Sequence, residues 1–363
     1  SVQGDTGTWP LQLEVMLLDA NGDHRKTKVV ADHSNTRLAK LEGQAAPACV
    51  LLNPGDIAYG QFLLDSASQA WLIEHVQDIQ DPLVRAVAMS ALYETVRESQ
   101  LDPTLYADAA LRLLEIETDA GTHSWLLRTL GTALKRYMPA ASRDPRLIRL
   151  STALRTQLAG KVEGIKTQAL RALMRSCSDP QALAICEAVS QGKPPVQGME
   201  IGKRDIFLAA TALLAAGRSQ AVLNQVIKDF DKQDVAREAF IAAAASPTAK
   251  AEYFAAYSKL DDPPEQWMSS SLGNFHWFGQ ESLTLPYLRQ ALDRVEWVKK
   301  NRKIFFMPAW VNSFVNGHSS SKALRIVQDY LAERQDLSID IRRKILQSLD
   351  GLQRSVAIKK RWL

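Results

Sequence analysis

The sequence predicts a mainly α protein, a HEAT- or armadillo-like α-α superhelical array preceded by a small antiparallel β unit. Three observations carry that expectation. Residues 9–65 contain apolar runs that alternate with polar positions at a period of two. From Ser66 onward the apolar residues recur three or four apart, the spacing of an amphipathic helix. Asp-Pro pairs, natural helix starts, stand at 81-82, 102-103, 144-145, 179-180 and 262-263.

The β unit comes first. In "LQLEVMLLD", Leu11, Leu13, Val15 and Leu17 face one way and Gln12, Glu14 and Met16 the other, as in a half-buried strand. Asn21-Gly22 is a hairpin turn pair, and "TKVV" resumes the strand beyond it. "CVLLN" and "AYGQFLLD" flank the turn formers Pro54, Gly55 and Asp56 and read as two further strand segments. The pattern changes at Asp65, which sets the expected domains at 1–65 and 66–363.

The helical region follows. In "DPLVRAVAMSALYETVRES", Leu83, Val84, Val87, Ala88, Ala91, Leu92 and Val96 form one apolar stripe, with Arg85, Glu94 and Arg97 elsewhere. Asp81 is the expected N-cap, because its carboxylate can accept from free first-turn amides, and Pro82 suits the first helical position, where its missing N–H has no partner to lose. Irregularly spaced starts of this kind describe helical pairs, each burying its stripe against its neighbours and together curving into a concave face. "SQGKPPVQGMEIGKRD", 190–205, has two adjacent prolines and three glycines and is a candidate lobe break within the array.

Composition narrows the function classes. The 363 residues are 46% hydrophobic and 23% charged, ordinary usage for a globular chain, and the net charge is only +4. The basic clusters "VKKNRK" and "IKKRWL" are short and read as solvated helix faces, so a nucleic-acid partner is not expected. No apolar stretch reaches the length of a membrane span. Cys49, Cys177 and Cys186 are too few for a disulfide framework and fit no zinc spacing, which leaves buried free thiols. The chain lacks an initiator Met and a signal peptide pattern, as a fragment or processed chain would.

Catalytic motifs are missing. His24, His33, His75, His123, His276 and His318 never stand at i, i+4, and none is followed by Glu, so no H-E-x-x-H zinc helix is present. Phosphate-binding glycine loops and the G-x-S-x-G elbow are absent as well. "EIETD", 115–119, groups carboxylates, but Glu115 and Glu117 project in different directions on a helix and read as a helix end. Trp71, Trp125, Trp267, Trp297 and Trp310 fall in apolar helical stripes and read as core. Core packing is the default for Trp277 as well, with a groove-lining position as the alternative, since it stands in "NFHWFGQ" with His276 and Phe278 at a helix junction. No catalytic, cofactor-binding or metal-binding residue is expected in this chain.

Three stretches carry a resemblance to a known family. "LLNPGDIAYGQFLLD" followed by "QAWLIEHV" and "PLVRAVAMSALYETV" resembles the junction between the small β-sandwich and the C-terminal helical domain of aminopeptidase N-like zinc peptidases, with Asn53, Gly55, Tyr59 and Asp65 keeping the outline. "LLEIETDAGTHSWLL" resembles an early helical hairpin, through Glu117 and Trp125. "NFHWFGQESLTLPYLRQALDRVEWV" is similar to a late segment of the family, through Gln280, Leu283, Pro286, Tyr287 and Trp297, and "IFFMPAWVNSF" to the helix after it. Phe62 and Leu64 depart from the family pattern.

The resemblance implies the C-terminal half of such an enzyme, with residues 1–65 as a small β-sandwich domain and 66–363 as a bowl of helices. The family's G-A-M-E-N strand and H-E-x-x-H zinc site would lie in a missing N-terminal catalytic domain, the expected partner of this chain, so zinc is expected there and not here. The helical bowl would enclose the active-site chamber and control peptide access, its concave face meeting peptide tails. By itself the chain is expected to be inactive. The alternative expectation is a free-standing helical-repeat scaffold that binds a protein partner.

Overall fold

The computed structural model describes residues 10–363 apart from residues 34, 177, 229, 231 and 261; the side chains of 232–234 are likewise outside the description. Trp9 and Cys177 therefore lie outside the described residues. The chain divides into two compact units, one holding the described residues up to Ala133 with Trp362, the other Leu134–Arg361 with Leu363.

In the first unit, β1 (Leu11–Leu18) lies between β2 (His24–Ala31) and β3 (Cys49–Leu52), and both pairings are antiparallel. Register runs from Leu11 opposite Ala31 to Leu18 opposite His24, and from Val15 opposite Leu52 to Leu18 opposite Cys49. The hairpin turns at Asn21-Gly22 as the sequence predicts. Gly22 takes a φ of +88°, and Asp19 Oδ1 accepts from Asn21 N and Asp23 N.

Leu13, Val15 and Leu17 are buried together on one face with Phe62 packed against them. Met16 is also buried, contrary to the expected alternation. The reason is tertiary: Met16 and Leu18 share a cavity with Trp71 and Val84, so this end of the sheet is covered on both faces. The segment 58–64 is not a strand. Asn53, buried and with a φ of +57°, ends β3 and fastens the turn by accepting from Ile57 N and Ala58 N and donating to Ala58 O. Tyr59 then points fully into solvent. The described residues thus form one three-stranded sheet; the second sheet that a sandwich needs is not among them.

Helices begin at Ser66. Asp65 accepts from Ala67 N and Ser68 N at 3.0 Å each, and Ser68 Oγ in turn accepts from Val50 N at 2.8 Å, which fastens α1 (Ser66–His75) to β3. Next come α2 (Pro82–Arg97), α3 (Pro103–Ile116) and α4 (Ala120–Thr132). Asp81 and Asp102 cap α2 and α3 as predicted, and Asp119 caps α4. Of the α2 stripe, Leu83 is 48% exposed, whereas Val84, Ala88, Ala91, Leu92 and Val96 are buried.

The second unit contains α5 (Ala140–Leu158), α6 (Glu163–Ser176), α7 (Pro180–Ser190), α8 (Lys203–Ala215), α9 (Ala221–Lys228), α10 (Lys232–Ala243), α11 (Lys250–Ala256), α12 (Glu265–Phe275) and α13 (Glu281–Thr284). It continues with α14 (Pro286–Asp293), α15 (Val295–Asn301), α16 (Phe306–Asn316), α17 (Ser321–Glu333) and α18 (Ile339–Trp362). Consecutive helices pack on one another, α5 on α6 and α7 on α8, and residues 191–202 between α7 and α8 are turns and coil.

Asp179 caps α7 as predicted. Two other Asp-Pro pairs do not start helices. Pro145 lies inside α5, which begins at Ala140, and Asp144 pairs with Arg143 instead of capping. After Asp262, Pro264 bars Pro263 from helical backbone, so α12 starts only at Glu265.

The core of this unit is aromatic. Trp310, 1% exposed, donates through Nε1 to Ala291 O at 2.9 Å, and its ring lies 4.4 Å from that of Phe314. Cys49 and Cys186 are free and buried, and burial pushes the Cys49 thiol up to about 12. No helix among the described residues is long and apolar enough to cross a membrane.

Candidate functional site

The second unit encloses an open cavity of about 730 Å³. Its wall carries six positively charged side chains, Lys135, Arg136, Arg143, Arg175, Arg204 and Lys359, and two carboxylates, Glu238 and Glu281. The cations come from separate elements. Lys135 and Arg136 sit on a π-helical turn, Ala133–Tyr137, Arg143 on α5, Arg175 on α6, Arg204 on α8 and Lys359 on α18. Turns of this type interrupt regular helix and often mark functional positions.

Arg136 donates to several neutral acceptors. Its Nε donates to Ser355 Oγ at 3.2 Å, Nη2 to Gly351 O at 3.3 Å and Nη1 to Asn316 O, and these contacts orient the guanidinium. Lys359 Nζ donates to Ser319 Oγ at 3.0 Å. Burial lowers its pKa; Glu281 opposes the shift, while Arg136 and Arg143 add to it. Lys135 and Arg143 flank the Phe278 ring at 5.1 and 5.3 Å.

The carboxylates are engaged. Glu281 accepts from Ser319 N, Ser319 Oγ and Ser320 N, each at 3.1 Å. Glu238 accepts from Arg237 at 3.0 Å. Positive charge therefore exceeds negative in a concave, partly desolvated space, which is the electrostatic form of an anion site.

Two histidines meet at this wall, His276 among its lining residues and the buried His318 behind it. The rings of His276 and His318 meet edge to face with centroids 5.4 Å apart, and all four ring nitrogens are buried with no hydrogen-bond partner. Gly317 makes the approach possible: a Cβ there would lie 2.4 Å from His276 Nδ1 and 2.5 Å from Ser313 O. Burial drives His318 down to about 4, partly opposed by Glu281, and takes His276 well below its usual value, with the His318 and Lys250 charges adding to the effect.

Several residues singled out from sequence now have places. Trp277 lines the cavity with Phe278. Gln280 is buried and donates to Ala215 O at 3.0 Å and Ala245 O at 2.8 Å, joining segments rather than facing a ligand. Tyr287 stacks near Phe254, centroids 4.7 Å apart. Glu117 ends α3 and forms a two-pronged pair with Arg85, Nε to Oε2 at 2.9 Å and Nη2 to Oε1 at 2.8 Å. His276 and His318 are far apart in sequence, so a search for helical spacing misses them. The sequence signal that marks His318 is a helix end reading Gly-His-Ser-Ser.

The described residues do not fit a zinc ion. Among them no three His, Cys, Asp or Glu side chains stand where they could hold a metal. Behind the cavity wall, His318 Nδ1 lies 3.9 Å from Glu281 Oε1, whose carboxylate already accepts from Ser319 and Ser320.

Comparison with known proteins adds a family to the geometry. Residues 49–354 match the model of the ERAP1-like C-terminal domain. The chain is also similar to an aminopeptidase N of Streptomyces lividans, 24% identical over 340 residues that cover 91% of this chain and 39% of that protein. The chain thus spans about two fifths of the length of the curated relative it matches.

Proposed function

We propose, since this chain belongs to the family of ERAP1-like C-terminal domains, that its cationic cavity holds the C-terminal carboxylate of a peptide while a separate domain of the same polypeptide cuts the peptide at its other end. In this reading the chain, with residues 1–65 and 66–363 as its two domains, is the non-catalytic C-terminal part of a zinc-dependent aminopeptidase. It encloses the active-site chamber and controls which peptides enter. Zinc belongs to the catalytic domain outside this sequence, where it would supply Lewis-acid activation of water and carbonyl.

The observation that carries the proposal is the cluster of Lys359, Arg136 and Arg143 in the cavity wall. A peptide entering tail first brings one carboxylate into a space where cations outnumber carboxylates. Partial desolvation strengthens the attraction relative to open water. The Phe278 and Trp277 rings offer apolar surface to the last side chain. Anchoring the tail leaves the peptide's amino end free to reach a distant catalytic centre, so peptides too short to span the two points gain nothing from the cavity.

The test is direct binding. The 363-residue chain is titrated with a nine-residue peptide, dye-labelled at its amino end, as the free acid and as the C-terminal amide, and anisotropy is read at low salt. A charge-assisted bond contributes about 1.5–3 kcal/mol, so the amide is expected to bind at least about tenfold more weakly. Added salt should narrow the difference. Equal affinities for acid and amide would contradict the proposal.

A further inference from the structure

We propose that the cavity reads a second acid in the peptide it holds: Arg175 and Arg204 form a carboxylate site for an Asp or Glu side chain within the last three residues. The inference rests on the reading that peptide tails enter this cavity, and it adds a sequence preference to that reading.

Arg175 extends from the last turn of α6 and Arg204 from the first turn of α8, and both line the cavity. Among the described residues neither guanidinium makes an ion pair or hydrogen bond with a carboxylate; Asp205 feels the charge of Arg204 but is bonded elsewhere. Asp205, the neighbour of Arg204, accepts from Arg171 Nε at 2.6 Å, Arg171 Nη2 at 3.2 Å and Gly202 N at 3.2 Å. Glu238 accepts from Arg237, and Glu281 is occupied by Ser319 and Ser320.

Three guanidinium groups, those of Arg171, Arg175 and Arg204, thus gather with one carboxylate among them. Arg175 and Arg204 both remain solvent-accessible, yet the Arg175 guanidinium sits far enough among protein atoms that desolvation, and then the charges of Arg204 and Arg171, lower its pKa. Three like charges that share a single counter-ion cost free energy that an entering anion releases. Guanidinium is also the group whose planar fork matches a carboxylate in two parallel hydrogen bonds.

This pair has different charged neighbours from the tail cluster. Arg175 feels Arg204 and Arg171, whereas Lys359 feels Arg136 and Arg143. The groups stand on different elements, Arg175 on α6 and Arg204 on α8 against Lys359 on α18 and Arg143 on α5, so each is assigned its own carboxylate. A round cavity of about 730 Å³ is roughly 11 Å across, which an extended chain crosses in about three residues at 3.3–3.6 Å each. A terminal carboxylate at the first cluster therefore places the second acid at the last, next-to-last or third-from-last position.

The experiment compares free-acid nine-residue peptides that differ only at the next-to-last residue, Glu against Gln, by anisotropy on the 363-residue chain. The expected result is about tenfold tighter binding of the Glu peptide. In the double variant Arg175→Gln, Arg204→Gln the ratio should fall to about one. Arg175→Lys with Arg204→Lys, which keeps the charges, should retain part of the preference and excludes misfolding as the cause of its loss.

Equal binding of Glu and Gln peptides by the unmodified chain, with free acid still preferred over amide, would overturn this inference alone. Equal binding of acid and amide would overturn the reading beneath it. A Glu preference that survives in the double glutamine variant would remove the assignment to Arg175 and Arg204. Inorganic phosphate that displaces Glu and Gln peptides to the same extent would show a general anion sink and likewise overturn the proposal.

Discussion

Glu117→Ala is expected to destabilise the first unit by about 4 kcal/mol, read as a shift in the urea midpoint at pH 7. The carboxylate is fully buried and its partner Arg85 is 12% exposed, so truncation leaves a nearly buried guanidinium without its counter-charge, a change that costs about 3–5 kcal/mol. Two backbone donors, Thr118 N at 2.9 Å and Asp119 N at 2.8 Å, lose their acceptor as well. Burial alone would raise the Glu117 pKa, but hydrogen bonds from Arg85, Asp119 N and Thr118 N hold it below the ordinary value.

The sign of the pH effect follows. A carboxylate whose folded pKa is depressed contributes fully above its unfolded pKa, about 4.3, and loses that contribution as pH falls through the folded value. The gap between the parent chain and Glu117→Ala should therefore shrink only below about pH 4. A loss under about 1 kcal/mol at pH 7 would contradict the role given to this pair.

Acid should weaken the second unit earlier, on account of His318. Its folded pKa of about 4 lies below the unfolded value near 6.5, so the unfolded chain binds a proton that the native chain refuses. The stability tied to this group is complete above about pH 6.5, falls as pH drops, and levels off near pH 4. With about 1.36 kcal/mol for every pH unit between the two values, the loss is on the order of 3 kcal/mol across that window. His276 acts in the same direction.

Neither His318 ring nitrogen has a hydrogen-bond partner, so His318→Leu removes the proton site without breaking a hydrogen bond. Urea midpoints at pH 7.5 and pH 5 should show about 2 kcal/mol less acid loss in that variant than in the parent. Identical acid losses would mean that the histidines titrate normally.

Local rules made much of the fold legible. The change of period at Asp65, the Asn21-Gly22 hairpin and the caps at Asp81, Asp102 and Asp179 all depend on neighbours within a few residues, and each holds. What failed was decided at longer range. Met16 is buried because its end of the sheet is covered from the other side, and 58–64 stays unpaired because Asn53 turns the chain away. Asp144-Pro145 failed because α5 starts upstream and absorbs the proline in its early turns.

The cavity was less legible than the fold. For Trp277 the sequence favours core packing over the groove position it takes, because an aromatic cluster at a helix junction fits both. The six cations come from five separate elements and from positions as far apart as Lys135 and Lys359. Only tertiary packing brings them together, and a net charge of +4 spread over the chain gives no hint of it.

Where a bound peptide tail lies bears on the proposed role more closely than any other observable. A free-acid peptide with benzoylphenylalanine as its last residue is photo-crosslinked to the 363-residue chain, and the adducts are mapped by mass spectrometry. Crosslinks are expected to concentrate at residues 135–143 and 274–279, suppressed by excess unlabelled free-acid peptide and hardly at all by its amide. Crosslinks scattered elsewhere on the chain, or equally suppressed by acid and amide, would contradict the assignment of this cavity to peptide tails.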